Sequence, residues 1–200
     1  MGTERDLTQE VFRPPEIDEP VARPEQQSLA FHSVSTQKLF IMSVLTFGIY
    51  DLAYWWKQWS AQKAQGRDIW RFWRTVFAPI WSFGFAHDLR AAAHEREVPV
   101  RRMVEGAGAA NLYLLARVGQ NLVDRLAPIG VSVFTTAILS FVAAYALTSF
   151  QEQVNDILVK EGVRTPINRG FTAGAGVIGV IGALLWLFNI VALTGILPVE

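Results

Sequence analysis

Between Arg125 and Glu152 the chain carries no charged side chain, and residues 127–150 are long enough to cross a bilayer as a helix. In hydrocarbon every backbone N–H and C=O needs an internal partner, so an uncharged run of this length is predicted to be helical. Pro128 falls in the first turn, where its missing N–H does no harm. A second run, residues 172–197, holds 26 uncharged residues, enough to span with a tilt. A third, residues 39–56, has Asp51 as its one charge and would measure roughly 27 Å as a continuous helix. Residues 151–160 continue the first run as a polar helix in which Val154, Ile157 and Leu158 form a narrow apolar stripe, with Gly162 as its stop. The expected fold is all-α: a polytopic helical membrane protein with three to four spanning helices and interfacial amphipathic helices.

Aromatic residues crowd the end of the third run: Tyr50, Tyr54, Trp55, Trp56 and Trp59, with Lys57 among them. Tyr and Trp favour the headgroup level and lysine the cytoplasmic side, which places this end at the cytoplasmic interface. Phe31, Val34-Ser35, Lys38, Thr46-Phe47-Gly48, Tyr50-Asp51, Tyr54-Trp55 and Lys57-Gln58-Trp59 together resemble the opening signature of a family of small bacterial membrane proteins, domain-of-unknown-function family 4234. Phe72-Trp73-Arg74, Phe77-Ala78-Pro79-Ile80 and the step from Gln151 to Asn155 fit the same pattern. The resemblance covers residues 31 to about 90 well and the rest loosely. It implies an integral protein of the bacterial inner membrane with no assigned activity, and it brings no catalytic residue.

Residues 1–30 are rich in Glu, Gln and Pro and poor in large apolar side chains, the composition of a disordered acidic tail. The segment has no apolar core of a signal peptide, and Asp6 stands where myristoylation needs Ser or Thr. Residues 31–200 form the expected membrane domain. Lys plus Arg equals Asp plus Glu at 18 each, so attraction to nucleic acid or anionic lipid has to be local. With no cysteine, disulfides, thiolate metal sites and a cysteine nucleophile are excluded.

After the third run comes a basic, aromatic connector. Lys63, Arg67, Arg71 and Arg74 recur at helical spacing on one face, while Trp70, Trp73 and Phe77 share another. Asp68 is the expected N-cap and Pro79 the limit of this helix, which is read as lying among the headgroups rather than binding nucleic acid. Residues 75–87 form a further candidate span, short for the purpose. His87 and His94 would sit about 10 Å apart on one helix face, too far to share a metal ion. Residues 107–125 read as another helix whose Arg117, Gln120, Asn121, Asp124 and Arg125 cannot face lipid cheaply. An interfacial position is preferred for it over a bundle interior.

The last run contains a literal G-x-G-x-x-G at residues 174–179, but no strand or βαβ unit surrounds it, so no dinucleotide cofactor is expected. Ala175, Gly179 and Ala183 repeat every four residues instead, a small-residue face suited to a second copy or a membrane partner. Counting Lys and Arg over spans at 39–56, 127–150 and 172–197 places eleven basic residues in 57–126, which puts that segment in the cytoplasm and the tail outside; a fourth span at 75–87 would nearly balance the two sides and keep the tail inside. No Ser-His-acid set, metal motif or P-loop is present. The expected role is a non-catalytic structural or interaction protein in the lipid bilayer. A channel or transporter component with Asp51 and Arg117 on a polar route is the alternative, ahead of an enzyme acting on lipid. An arginine is the expected partner of Asp51: Arg71 or Arg74, with Arg117 more distant.

Overall fold

The computed structural model describes residues 31–163 and 173–193, and every element among them is an α-helix. Residues 1–30, 164–172 and 194–200, and with them the tail and the ends of the last run, lie outside the described residues.

The stretch read as one continuous span is a hairpin. Helix α1 (Thr36–Leu45) stops at Thr46, and α2 (Ile49–Ala64) starts after Gly48 and runs back beside it. Phe47 (φ 48°) and Gly48 (φ 92°) are both left-handed, which reverses the chain. Gly48 N–H donates to Ser43 O at 3.0 Å, and Thr46 Oγ1 donates to Met42 O while accepting from Tyr50 N–H, so the turn satisfies both helix ends. Ser43 then faces Asp51, and His32 N–H reaches the Gln58 side chain at 3.0 Å. On a straight helix residues 26 apart would be separated by roughly 39 Å.

The folding back also corrects the aromatic belt. Tyr50, Tyr54, Trp55 and Trp59 are buried, and of that group only Trp56 is exposed. Trp55 stacks on Trp59 at 5.6 Å and meets Phe85 edge-on at 5.2 Å, with Phe150 and Tyr113 closing the cluster. Truncating a side chain such as Trp55 to alanine costs roughly 3–5 kcal/mol.

From the end of α2 the chain turns back along it through α3 (Arg71–Val76) and enters α4 (Ala78–Glu95). The N-cap position of α3 is Trp70 rather than Asp68, and Pro79 both ends α3 and occupies the first turn of α4. Residues 75–87 are therefore no separate span: they straddle this break. The face of α4 made by Ala78, Ser82, Phe85, Ala86, Leu89 and Ala93 is buried at helical spacing.

After the short α5 (Arg102–Glu105), α6 (Gly108–Leu126) and α7 (Ile129–Lys160) form a second antiparallel hairpin. Ala109, Ala110 and Ala116 on α6 and Ala143, Ala144 and Ala146 on α7 are buried, small residues that let helix backbones approach. On α6, expected in the interface, Gln120 is buried against α7 while Asn121, Asp124 and Arg125 stay exposed. Gln120 Nε2 donates to Ser140 Oγ at 2.8 Å, and Asp124 accepts from Ser132 and Thr136.

Helix α8 (Ala173–Leu193) runs parallel to α1. Gly182 lies directly on the carbonyl of Leu45, Trp186 stacks on Phe47 at 4.6 Å, and Gly179 faces Met42. The contact face is thus Gly179–Gly182–Trp186, and it is used within the chain. Ala183 is exposed, and the side chain of Ala175 lies outside the described residues.

Candidate functional site

Asp51 is one turn into α2, and the hairpin carries it back beside Ser43 of α1. Its carboxylate accepts Ser43 Oγ–H at 2.6 Å and Tyr113 O–H at 3.2 Å, and it forms an ion pair with Arg117. Only 1% of the residue is exposed. A charge this buried needs an opposite charge and hydrogen bonds together, and here it has both. The partner is Arg117, not Arg71 or Arg74.

Arg117 does more than neutralise the acid. Its Nη1 donates to the carbonyl of Phe47 at 3.1 Å and to Gln120 Oε1 at 2.6 Å, so one guanidinium joins the hairpin tip, the acid and α6. The ring of Tyr113, one turn earlier on α6, lies 5.5 Å from the guanidinium carbon, and its hydroxyl also accepts Trp55 Nε1–H at 3.0 Å. A Cβ at Gly48 would collide with the guanidinium, so glycine serves both the turn and this close approach.

Outside this cluster a groove of about 350 Å³ lies between α2, the start of α4 and α6. Arg117, Gln120, Asn121, Asp124 and Thr136 supply its polar side, and Phe47, Ile49, Leu52 and Val76 its apolar side. Asp51 is not on its wall.

No family model, curated protein or solved structure matches the chain. The resemblance to the uncharacterised membrane family therefore rests on the residues quoted for it. Four of them, Val34, Gln58, Gln151 and Asn155, meet in space around His32. Gln58 Nε2 donates to His32 O at 2.9 Å and to Gln151 Oε1 at 3.1 Å; Gln151 Nε2 donates to Asn155 Oδ1, and Asn155 Nδ2 reaches Val34 O. This amide chain ties the entry to α1 onto both α2 and α7. Burial, reinforced by the charges of Lys57 and Lys38, lowers the His32 imidazole from its ordinary 6.5 to about 4.

The connector residues separate into different roles. Lys63 is exposed on the last turn of α2, and Arg67 pairs with Asp88 at 2.5 Å. Arg71 donates to Ser60 Oγ and lies over Trp56, while Arg74 lies 4.4 Å from the centre of the Trp81 ring. They form no single helical stripe, because α2 ends before Arg67 and α3 begins at Arg71. Trp70 is 73% exposed, and Phe72, Trp73, Val76, Phe77, Ile80 and Trp81 are exposed after it. Among the described residues no three His, Asp or Glu side chains are grouped to hold a metal ion.

The sequence singles out Asp51 and Arg117, with Gln120 on the same polar helix, but not Ser43 or Tyr113. The spacing of Tyr113, Arg117 and Gln120, at four and three residues, was the available signal that one face of α6 is polar and inward.

Proposed function

We propose that the chain is a multi-pass protein of the bacterial cytoplasmic membrane with a non-catalytic structural or interaction role. The sorting of side chains along α7 carries this reading. Val131, Phe134, Ile138, Phe141 and Tyr145 are exposed on its N-terminal half, while Glu152 and Asp156 on its C-terminal half pair with Arg101. The apolar part, residues 129–150, measures roughly 33 Å, close to hydrocarbon thickness. It lies within the one described helix long and apolar enough to cross a membrane.

The other elements support the same boundary. Leu115, Val118, Leu122 and Leu126 of α6 and Val177, Val180, Leu184, Leu187 and Phe188 of α8 are exposed. The surface ion pairs Arg67–Asp88, Arg96–Glu161 and Arg101–Asp156 gather at the other end. In this reading α6 and α7 cross as a pair, α8 crosses beside α1, and the α1–α2 hairpin enters and returns. Of the described Lys and Arg residues, Arg117 and Arg125 alone lie toward the apolar end, so the charged end faces the cytoplasm.

Asp51 and Arg117 act here as a clamp on the hairpin tip, since the acid is closed off from the groove. The groove favours a second reading, a channel or transporter component, because it puts Arg117 and Asp124 on one accessible wall. The cysteine-free chain permits a direct test. Leu126→Cys and Lys160→Cys, treated with a membrane-impermeant maleimide in whole cells and in inverted vesicles, are expected to label from opposite sides. Labelling from the same side would remove the crossing. Ion or solute flux in proteoliposomes that Asp124→Asn abolishes would favour the second reading over the first.

A further inference from the structure

The chain turns back twice at one depth. The tip of the first hairpin, Phe47 and Gly48, and the break between α3 and α4, Ala78 and Pro79, line the same groove. From there α4 climbs to the charged end beside α2: Phe85 packs on Trp55 and Trp59, and Asp88 pairs with Arg67. Phe85 also meets Phe150 edge-on at 5.8 Å, which sets it level with the polar edge of the apolar part of α7. Pro79 lies earlier on α4 and roughly 9 Å deeper. Given the membrane reading of α6, α7 and α8, we propose that residues 70–86 form a second half-crossing hairpin seated in the acyl chains of the cytoplasmic leaflet, and that the two hairpins make the protein a wedge favouring curved membrane.

The outer face of this second hairpin has the chemistry of a lipid contact. No charged side chain occurs from Thr75 to Ala86, and Phe72, Trp73, Val76, Phe77, Ile80 and Trp81 are all exposed. A contiguous apolar patch of this kind marks a membrane or partner contact. It continues onto Ile49, Leu52 and Trp56, the exposed side of α2, and so onto the lipid side of the first hairpin. The charges stop short of the tip. Arg71 reaches Ser60 and the Trp56 ring, and Arg74 lies 5.3 Å from the centre of the Trp59 ring, so both are drawn toward the charged end of α2. Long cationic side chains return their charge to the headgroups in this way while their stems stay in the apolar layer. Lying flat among the headgroups does not suit α3, because it packs along α2 and leads to the depth of Gly48.

Past the two tips only α6, α7 and α8 continue among the described residues. Arg117 meets the first tip at the Phe47 carbonyl, which leaves residues 118–126 of α6, roughly 13 Å, beyond it. Trp186 stacks on Phe47, leaving residues 187–193 of α8, roughly 10 Å. Ser140 faces Gln120, leaving residues 129–139 of α7, roughly 16 Å. The cytoplasmic leaflet thus holds α1, α2, α3 and the start of α4 in addition to these three helices. At about 10 Å across each, four extra segments add roughly 300 Å² to that leaflet alone. A body wider in one leaflet is least strained where that leaflet is convex.

The cysteine-free chain allows depth to be read directly. Phe77→Cys, Phe141→Cys and Lys63→Cys each take a nitroxide in liposomes, and power-saturation EPR compares oxygen with nickel-chelate accessibility. Phe77→Cys is expected to match Phe141→Cys in the apolar half of α7, with Lys63→Cys open to water. A water-accessible label at Phe77 beside a lipid-buried one at Phe141 overturns the second hairpin and leaves the membrane reading standing. Water access at both overturns the membrane reading and the hairpin with it. The wedge is read by orientation: the Lys63→Cys protein is reconstituted into phosphatidylcholine vesicles of about 30 and about 200 nm and labelled with an impermeant maleimide. The outward-to-inward ratio is expected to be at least about threefold higher in the small vesicles, whose outer leaflet is the convex one. Ile80→Glu, at a 63% exposed position, charges the second tip and is expected to cut that bias to less than about half with the unfolding midpoint unchanged, whereas Ile80→Leu keeps it. Equal ratios in the two vesicle sizes overturn the wedge, and an Ile80→Glu bias equal to wild type overturns the second hairpin's share in it.

Discussion

Arg117→Gln is expected to destabilise the protein more than Asp51→Asn, and the two together less than their sum. The asymmetry follows from burial: the Asp51 side chain is 2% exposed and that of Arg117 12%. Removing the arginine leaves a carboxylate held only by the hydroxyls of Ser43 and Tyr113, an uncompensated buried charge costing roughly 3–5 kcal/mol. Asp51→Asn keeps the shape of the side chain, and Arg117 still has Phe47 O at 3.1 Å and Gln120 Oε1 at 2.6 Å. What is lost there is a charge-assisted hydrogen bond, roughly 1.5–3 kcal/mol. The double variant holds neither an orphaned acid nor an orphaned base, so a coupling of about 2 kcal/mol is expected. SDS-induced unfolding in mixed micelles, followed by tryptophan fluorescence, reads this well because Trp55 is hydrogen-bonded to Tyr113 beside the cluster. Effects that add to within about 0.5 kcal/mol would falsify the clamp, and so would Asp51→Asn proving the more damaging change.

The same unfolding assay separates two left-handed glycines. Gly48→Ala puts a Cβ onto the Arg117 guanidinium as well as straining φ, and is expected to cost more than about 2 kcal/mol, whereas Gly66→Ala, with open space around it, bears the left-handed penalty alone, roughly 1–2 kcal/mol. Equal costs would show that the tip does not depend on the close approach. For His32 the folded value of about 4 lies below the ordinary 6.5, so as pH falls the unfolded chain takes up the proton first. Stability that is full above 6.5 is therefore expected to decline down to about 4 and then level off, and the difference between wild type and His32→Phe isolates this group from the carboxylates. A pH-independent difference between the two would remove the burial of that imidazole.

Residues 127–150 could be read as helical because an uncharged run so long excludes most alternatives, and α7 contains all of it from Ile129 onward. The hairpin at residues 46–48 could not be read the same way. One glycine in an apolar run suits a helix interior in lipid as well as a turn, and what decides for the turn is Arg117, 66 residues from Asp51, reaching the Phe47 carbonyl. A straight helix gives Asp51 the depth of the connector, beside Arg71 and Arg74; folding the helix back moves the acid to the tip, where α6 passes. The aromatic residues show the same dependence. Tyr and Trp suit an interface and a core for one reason, an apolar body with a polar tip, so their identity cannot separate the two. Their spacing can. Tyr50, Asp51, Tyr54, Trp55, Gln58, Trp59 and Gln62 fall on one side of α2, and Ile49, Leu52 and Trp56 on the other. A face that mixes an acid and two amides with the largest aromatics is poorly suited to lipid, and that conflict within a single helix pointed to a partner elsewhere in the chain.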